Sequence, residues 1–261
     1  MRSTLEPTWG RLLVIFGLSS LLAAEDKPSA PKKPPKVALA HPLALPVGKA
    51  TKVVVRGWEL EQVNEVRVSQ PDVQLKLLVK SKAAVPNKQD AKQVGDTQLE
   101  LELTVAAEPV SGELTLVLVT PETESTSFSL LLGASEPRID EVEGNDGFRQ
   151  AQSIQVPQVV DGALHADQNV DVFVFELAAP QTVVIETIAR QRGSALDSLL
   201  TLYDDQTNIL EISDDQRGTT DSYIERQLPA GRYFLSLQDA HDRGGPAHPY
   251  RLVVRGAAIA R

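Results

Sequence analysis

Asp140-Glu141-Val142-Glu143-Gly144-Asn145-Asp146 places five oxygen-bearing side chains within seven residues. Carboxylates and amide oxygens at that density suit a hard cation, because calcium takes about six to eight oxygen ligands in a flexible geometry. The same residues also read as a solvated acidic linker in which Asn145-Asp146 makes a turn. Spacing alone does not choose between the two. Asp171 follows at the head of an apolar run, Val172-Phe173-Val174-Phe175, preceded by Gln168 and Asn169.

Other reactive residues form no comparable group. Asp204-Asp205, Asp214-Asp215 and Asp221 sit at strand ends, where acidic residues make turns and stay in water. The four histidines, His41, His165, His241 and His248, are scattered, with no pair at zinc-ligand spacing. Ser194, in Arg192-Gly193-Ser194-Ala195-Leu196, lacks the second glycine of a nucleophile elbow. A triad of Ser194, His165 and Asp167 or Asp171 matches no known order, so the chain is expected not to be an enzyme. Cysteine is absent, which removes thiol chemistry and disulfides together.

The elements that must position these residues are strands. Gln98-Leu99-Glu100-Leu101-Glu102-Leu103-Thr104-Val105 alternates apolar and polar, as a half-buried antiparallel strand requires. Thr51–Arg56, Val63–Val68, Glu113–Thr120 and Ser127–Leu132 add to it, and about seven short strands in a hundred residues suit an immunoglobulin-like sandwich. Ser81–Asp96 has no periodicity and reads as an exposed loop. Trp58, beside Gly57, reads as a packing anchor. After Ala134-Ser135-Glu136-Pro137, strands are expected around 171–177, 183–188, 199–203, 209–213, 223–227, 232–237 and 250–254. No helical stripe of useful length is present. The fold class is therefore all-β, as two sandwiches over 37–133 and 134–261.

Residues 1–24 read as a secretory signal peptide. The apolar stretch Leu12–Leu22 has the ~7–15-residue length of a signal core rather than the ~20 of a membrane span. Residues 25–36, rich in Pro and Lys, read as an extended linker. Net charge is −9, which disfavours nucleic acid and anionic membrane surfaces, since phosphate binding needs clustered Lys and Arg. The mature chain is expected to be secreted, periplasmic or on the cell surface, with no membrane span.

In order, Glu141–Asp146, Asp171–Leu177, Gly193–Asp197, Leu200–Asp204, Ser213–Asp215, Asp221-Ser222, Leu228–Leu235 and Tyr250–Val254 resemble the bacterial pre-peptidase C-terminal domain. That domain is a secreted sandwich of jelly-roll type, related to the collagen-binding modules of clostridial collagenases. The resemblance implies a non-catalytic exported module. It also implies calcium on an E-x-E-x-N-D segment, matched by Glu141, Glu143, Asn145 and Asp146, with Asp171 opening the next strand. The chain departs from the pattern at Gln168 and Asn169, where a second aspartate is common, although Asn169 offers an amide oxygen. Relatives use exposed tyrosines on a sheet face, a role open to Tyr203 and Tyr223. The first half, through Arg56-Gly57-Trp58-Glu59-Leu60, loosely resembles the IPT/TIG immunoglobulin-like domain. The expected partners are an extracellular protein or polysaccharide, or alternatively a separate exported peptidase that this chain assists.

Overall fold

A computed structural model describes residues 33–85, 89–106, 112–133, 136–215 and 218–258. The expected signal peptide and most of the linker lie outside these residues. No helix among the described residues is long and apolar enough to cross a membrane.

The first half contains β1 (Lys36–His41), β2 (Ala44–Leu45), β3 (Ala50–Trp58), β4 (Glu65–Val68), β5 (Val73–Lys82), α1 (Ala91–Val94), β6 (Thr97–Val105), β7 (Gly112–Val119) and β8 (Phe128–Leu132). They form two sheets of order β1-β3-β6-β5 and β2-β8-β7-β4. β6 shows why. Leu99, Leu101, Leu103 and Val105 are buried in the core, while Glu100 and Glu102 point out and meet Lys52 and Lys76 on the neighbouring strands at 2.7 and 2.6 Å. Ser81–Asp96, expected to be loop throughout, instead begins inside β5 and holds α1. Asp90 caps that turn by accepting from Lys92 N–H at 2.9 Å, and Val94 at its end is buried. The polar run concealed a single anchoring valine.

The second half contains β9 (Arg138–Asp140), β10 (Gln152–Ser153), β11 (Gln158–Ala163), β12 (Val170–Leu177), β13 (Gln181–Ile188), β14 (Ser198–Tyr203), β15 (Ile209–Ser213), β16 (Tyr223–Leu228), β17 (Gly231–Asp239) and β18 (Pro249–Ala258). Their sheets run β10-β12-β17-β14-β15 and β16-β13-β18-β11-β9. Phe173, Phe175 and Leu177 of β12 face Val183 and Ile185 of β13 and Tyr250, Leu252 and Val254 of β18 across one core. The protein is all-β, with two packed pairs of sheets.

The two pairs of sheets meet along a small apolar seam in which Leu39, Leu43 and Val94 pack with Ala247 and Ala195. Gly193 lets the chains approach. Its φ is +87°, and a Cβ there would stand 2.3 Å from the Ala38 carbonyl oxygen. Arg192 pairs with Glu113 at 2.6 Å, and Gln89 Nε2 lies 3.2 Å from His248 Nδ1.

Candidate functional site

The acidic segment leaves β9 and crosses one end of the second sandwich. Period-2 geometry puts Asp171 on the same face of β12 as Phe173 and Phe175, so its carboxylate is directed into the end of the core. It is 0% exposed. From the opposite sheet, β18 sends Tyr250 inward beside Leu252 and Val254. The two side chains meet across the sandwich, with the Tyr250 hydroxyl donating to Asp171 Oδ2 at 2.6 Å. Asn169 Nδ2 donates to Asp171 Oδ1 at 3.0 Å and to Asp146 Oδ1 at 3.1 Å.

Glu141 extends from β9, and its N–H donates to the Asp161 carbonyl at 2.9 Å. Gly162 of β11 provides the space for it. A Cβ on Gly162 would come within 2.6 Å of the Tyr250 ring and 2.7 Å of Glu141 Cβ. Gln152 clasps the segment by donating to the Asp140 carbonyl at 3.0 Å and accepting from Val142 N–H at 2.8 Å. One carboxylate oxygen from each of Glu141, Glu143 and Asp171 then lies within 4.8 Å of the others.

The electrostatics follow from this geometry. Burial, with Asp171 and Glu143 close by, pushes the Glu141 carboxyl up to about 8. Burial also pushes Asp171 up to about 7, against the opposing hydrogen bond from Tyr250. Tyr250 itself is held well above the ordinary tyrosine range by burial and by Asp171. At this site, buried atoms of two side chains lack partners among the described residues. Glu141 Oε1 is buried without a hydrogen bond, and so are both amide atoms of Asn145, a residue 1% exposed. The Asn145 carbonyl accepts from Val172 N–H at 2.9 Å, which fixes it one residue from Asp171. Buried polar atoms without partners are costly, and a cation with bound oxygens is a group that would satisfy them.

Of the residues singled out in the sequence, Glu141, Glu143 and Asp171 converge. Asp146 is joined to them through Asn169, and Asn145 lies beside them. Asn169 takes a different part from the one expected. Its oxygen accepts from His165 N–H at 2.8 Å, so it turns its nitrogen toward the carboxylates and orients them. His165 Nδ1 sits 2.8 Å from Glu143 Oε2, while Ser194 is buried, its hydroxyl donating to the Ala247 carbonyl at 3.3 Å. The imagined triad is therefore not assembled. Tyr250 and Gly162 were missed as site residues, because nothing in their spacing links them to residues tens of positions earlier.

The remaining acidic groups mostly hold turns. Asp221 accepts from the N–H groups of Ala189, Arg190 and Gln191, and Asp204 accepts from those of Gln206 and Asn208. Asp197, Asp214 and Asp215 form a second group of carboxylates. Tyr203 packs edge-on against Phe148 at 5.0 Å, and the Tyr223 hydroxyl donates to Glu225 at 2.8 Å.

No family model matches the chain, and no curated protein matches it. Among solved structures it is similar to the pre-peptidase C-terminal domain of collagenase from Bacillus anthracis. That similarity has 15% identity and a TM-score of 0.33, over 47% of this chain and 100% of that one. The chain is also similar to the protein SGBP-B of a Bacteroides ovatus mixed-linkage glucan utilization locus, at 9% identity and TM-score 0.28, over 84% of this chain and 74% of that one. A third similarity is to the secreted serine protease VesC from Vibrio cholerae, at 9% identity and TM-score 0.25, over 81% and 48% respectively.

Proposed function

We propose that this chain is a non-catalytic extracytoplasmic binding protein whose second sandwich is locked by calcium on Glu141, Glu143 and Asp171. The observation that carries the reading is the convergence of carboxylate oxygens from Glu141, Glu143 and Asp171, where Glu141 also keeps one buried oxygen, Oε1, without a hydrogen-bond partner. An all-oxygen donor set with no cysteine favours calcium over zinc. The ion supplies positive charge at the end of the core, and Tyr250, Asn169 and Gln152 hold the carboxylates and the linker segment in place around it. Its role is structural: ordering the segment that joins the sandwiches fixes the surface offered to an extracellular protein or polysaccharide.

Thermal unfolding of the chain in calcium, magnesium or chelator tests this. Extracellular modules bind calcium with dissociation constants of roughly 10⁻⁴–10⁻³ M. A tenfold excess over that constant stabilises by about 1.4 kcal/mol, or a few degrees in Tm. Magnesium should do less, and Glu143→Gln should reduce the calcium gain. A Tm unchanged by all three conditions would overturn the reading.

A further inference from the structure

The carboxylate group borders a cleft of about 420 Å³ between the two sandwiches, with Glu141, Glu143 and Tyr250 on one wall and His41, Lys49 and Thr51 on the other. We propose that this cleft binds an acidic polysaccharide through the carboxylate of one of its sugars, held between Lys49 and the cation of the acidic site. The proposal rests on the calcium reading above.

The charges along the cleft single out Lys49. Lys52 is paired with Glu100 at 2.7 Å, and Arg138 with Asp161 at 2.5 Å and with Asp140. Lys49 is exposed and has no ion-pair partner among the described residues. Three protein carboxylates leave calcium short of its about six to eight oxygen ligands, and two of the three line the cleft. A ligand carboxylate can give one oxygen to the ion and the other to the Lys49 ammonium, each a charge-assisted contact.

The rest of the wall suits a sugar. His41 Nδ1 is buried with no hydrogen-bond partner, and burial lowers the ring's affinity for a proton, leaving a neutral imidazole. Thr51 adds a hydroxyl, and Pro42 and Pro46 add apolar surface. Ring hydroxyls both donate and accept, so they can meet His41 and Thr51 while the C–H face of the ring lies against the prolines. An acidic peptide such as triglutamate would satisfy Lys49 and the ion but offers no C–H ring face to Pro42 and Pro46.

The test is isothermal titration of the full chain with trigalacturonate at fixed free calcium, in chelator, and with Lys49→Ala. A neutral galacto-trisaccharide and triglutamate serve as comparison ligands, and calcium binding is measured separately without sugar. Trigalacturonate should bind only with calcium, the neutral sugar and triglutamate should bind at least tenfold more weakly, and Lys49→Ala should lower trigalacturonate affinity about tenfold with calcium affinity unchanged. Calcium binding without trigalacturonate binding would overturn the cleft proposal and leave the calcium reading standing. Equal binding of triglutamate, or no effect of Lys49→Ala, would also overturn it. Failure to bind calcium would remove the calcium reading, and the cleft proposal with it.

Discussion

Calcium binding to the acidic cluster should expel protons, in a number that the geometry sets. Without an ion, burial holds Glu141 near about 8 and Asp171 near about 7. At pH 7 the first is then about nine-tenths protonated and the second about half, so binding that requires both ionised releases about 1.4 protons per ion. Apparent affinity should rise roughly fiftyfold from pH 6 to 7, about tenfold more by pH 8, and flatten above pH 9. The sign for the ion-free fold is the opposite. Folded carboxyl values raised above the unfolded ones make these groups a penalty that is absent below about pH 4 and grows as pH climbs through 7 and 8. The ion-free protein should therefore lose stability across the range in which calcium binding strengthens. Isothermal titration at pH 7 in two buffers of different ionisation enthalpy counts the protons, and chemical denaturation in chelator at pH 5.5 and 8.5 reads the penalty. Calcium binding with no proton release at pH 7, at an affinity constant from pH 6 to 8, would refute the reasoning.

Three further outcomes follow from named contacts. In chelator at pH 8.5, Asp171→Asn should leave the denaturation midpoint unchanged or raise it, because it removes a buried charge, while abolishing the gain from calcium; a loss of more than about 2 kcal/mol would show that the carboxylate itself stabilises the ion-free fold. Gly162→Ala should destabilise by about 1–3 kcal/mol, since its Cβ meets the Tyr250 ring at 2.6 Å, and should weaken calcium binding as well; a neutral effect would mean the cradle is loose. Fragments 37–133 and 138–256, expressed separately, should each unfold cooperatively, because each holds its own core of buried side chains; if neither does, the seam around Leu39, Leu43 and Val94 is obligatory.

The sequence displayed the strands well where one face is buried. The alternation of β6 is a period-2 pattern with one face in the core, whereas β12 is buried on both faces, Val172 and Val174 included, and showed as a continuous apolar run. It displayed β5 poorly, since that edge strand buries little and carries Lys76, Lys80 and Lys82 as freely as a loop would. α1 was hidden because its one buried residue, Val94, cannot show a period. At the site, the local cluster Glu141–Asp146 was visible as composition. Its closure was not, because Tyr250, Gly162 and the Asn169 nitrogen turned toward the carboxylates depend on which strands lie opposite one another. The seam between the sandwiches was equally silent, being built from alanines, leucines and Val94 with nothing in their spacing to distinguish them from core.

The position of β18 has a consequence for the order of assembly. It is the last strand among the described residues yet the middle one of its sheet, between β13 and β11. Tyr250 on its inner face holds Asp171. Arg251 on its outer face donates to both oxygens of Asp161, at 2.7 and 2.9 Å, and to the Gly133 carbonyl at 2.8 Å. Until β18 is in place, β11 and β13 each lack the antiparallel partner that lies between them. One late insertion therefore completes the sheet, ties the sandwich to the end of β8 and brings the acidic cluster under its tyrosine lid. Closure of the proposed ion site and completion of the sheet then coincide, so a variant without β18 should have neither.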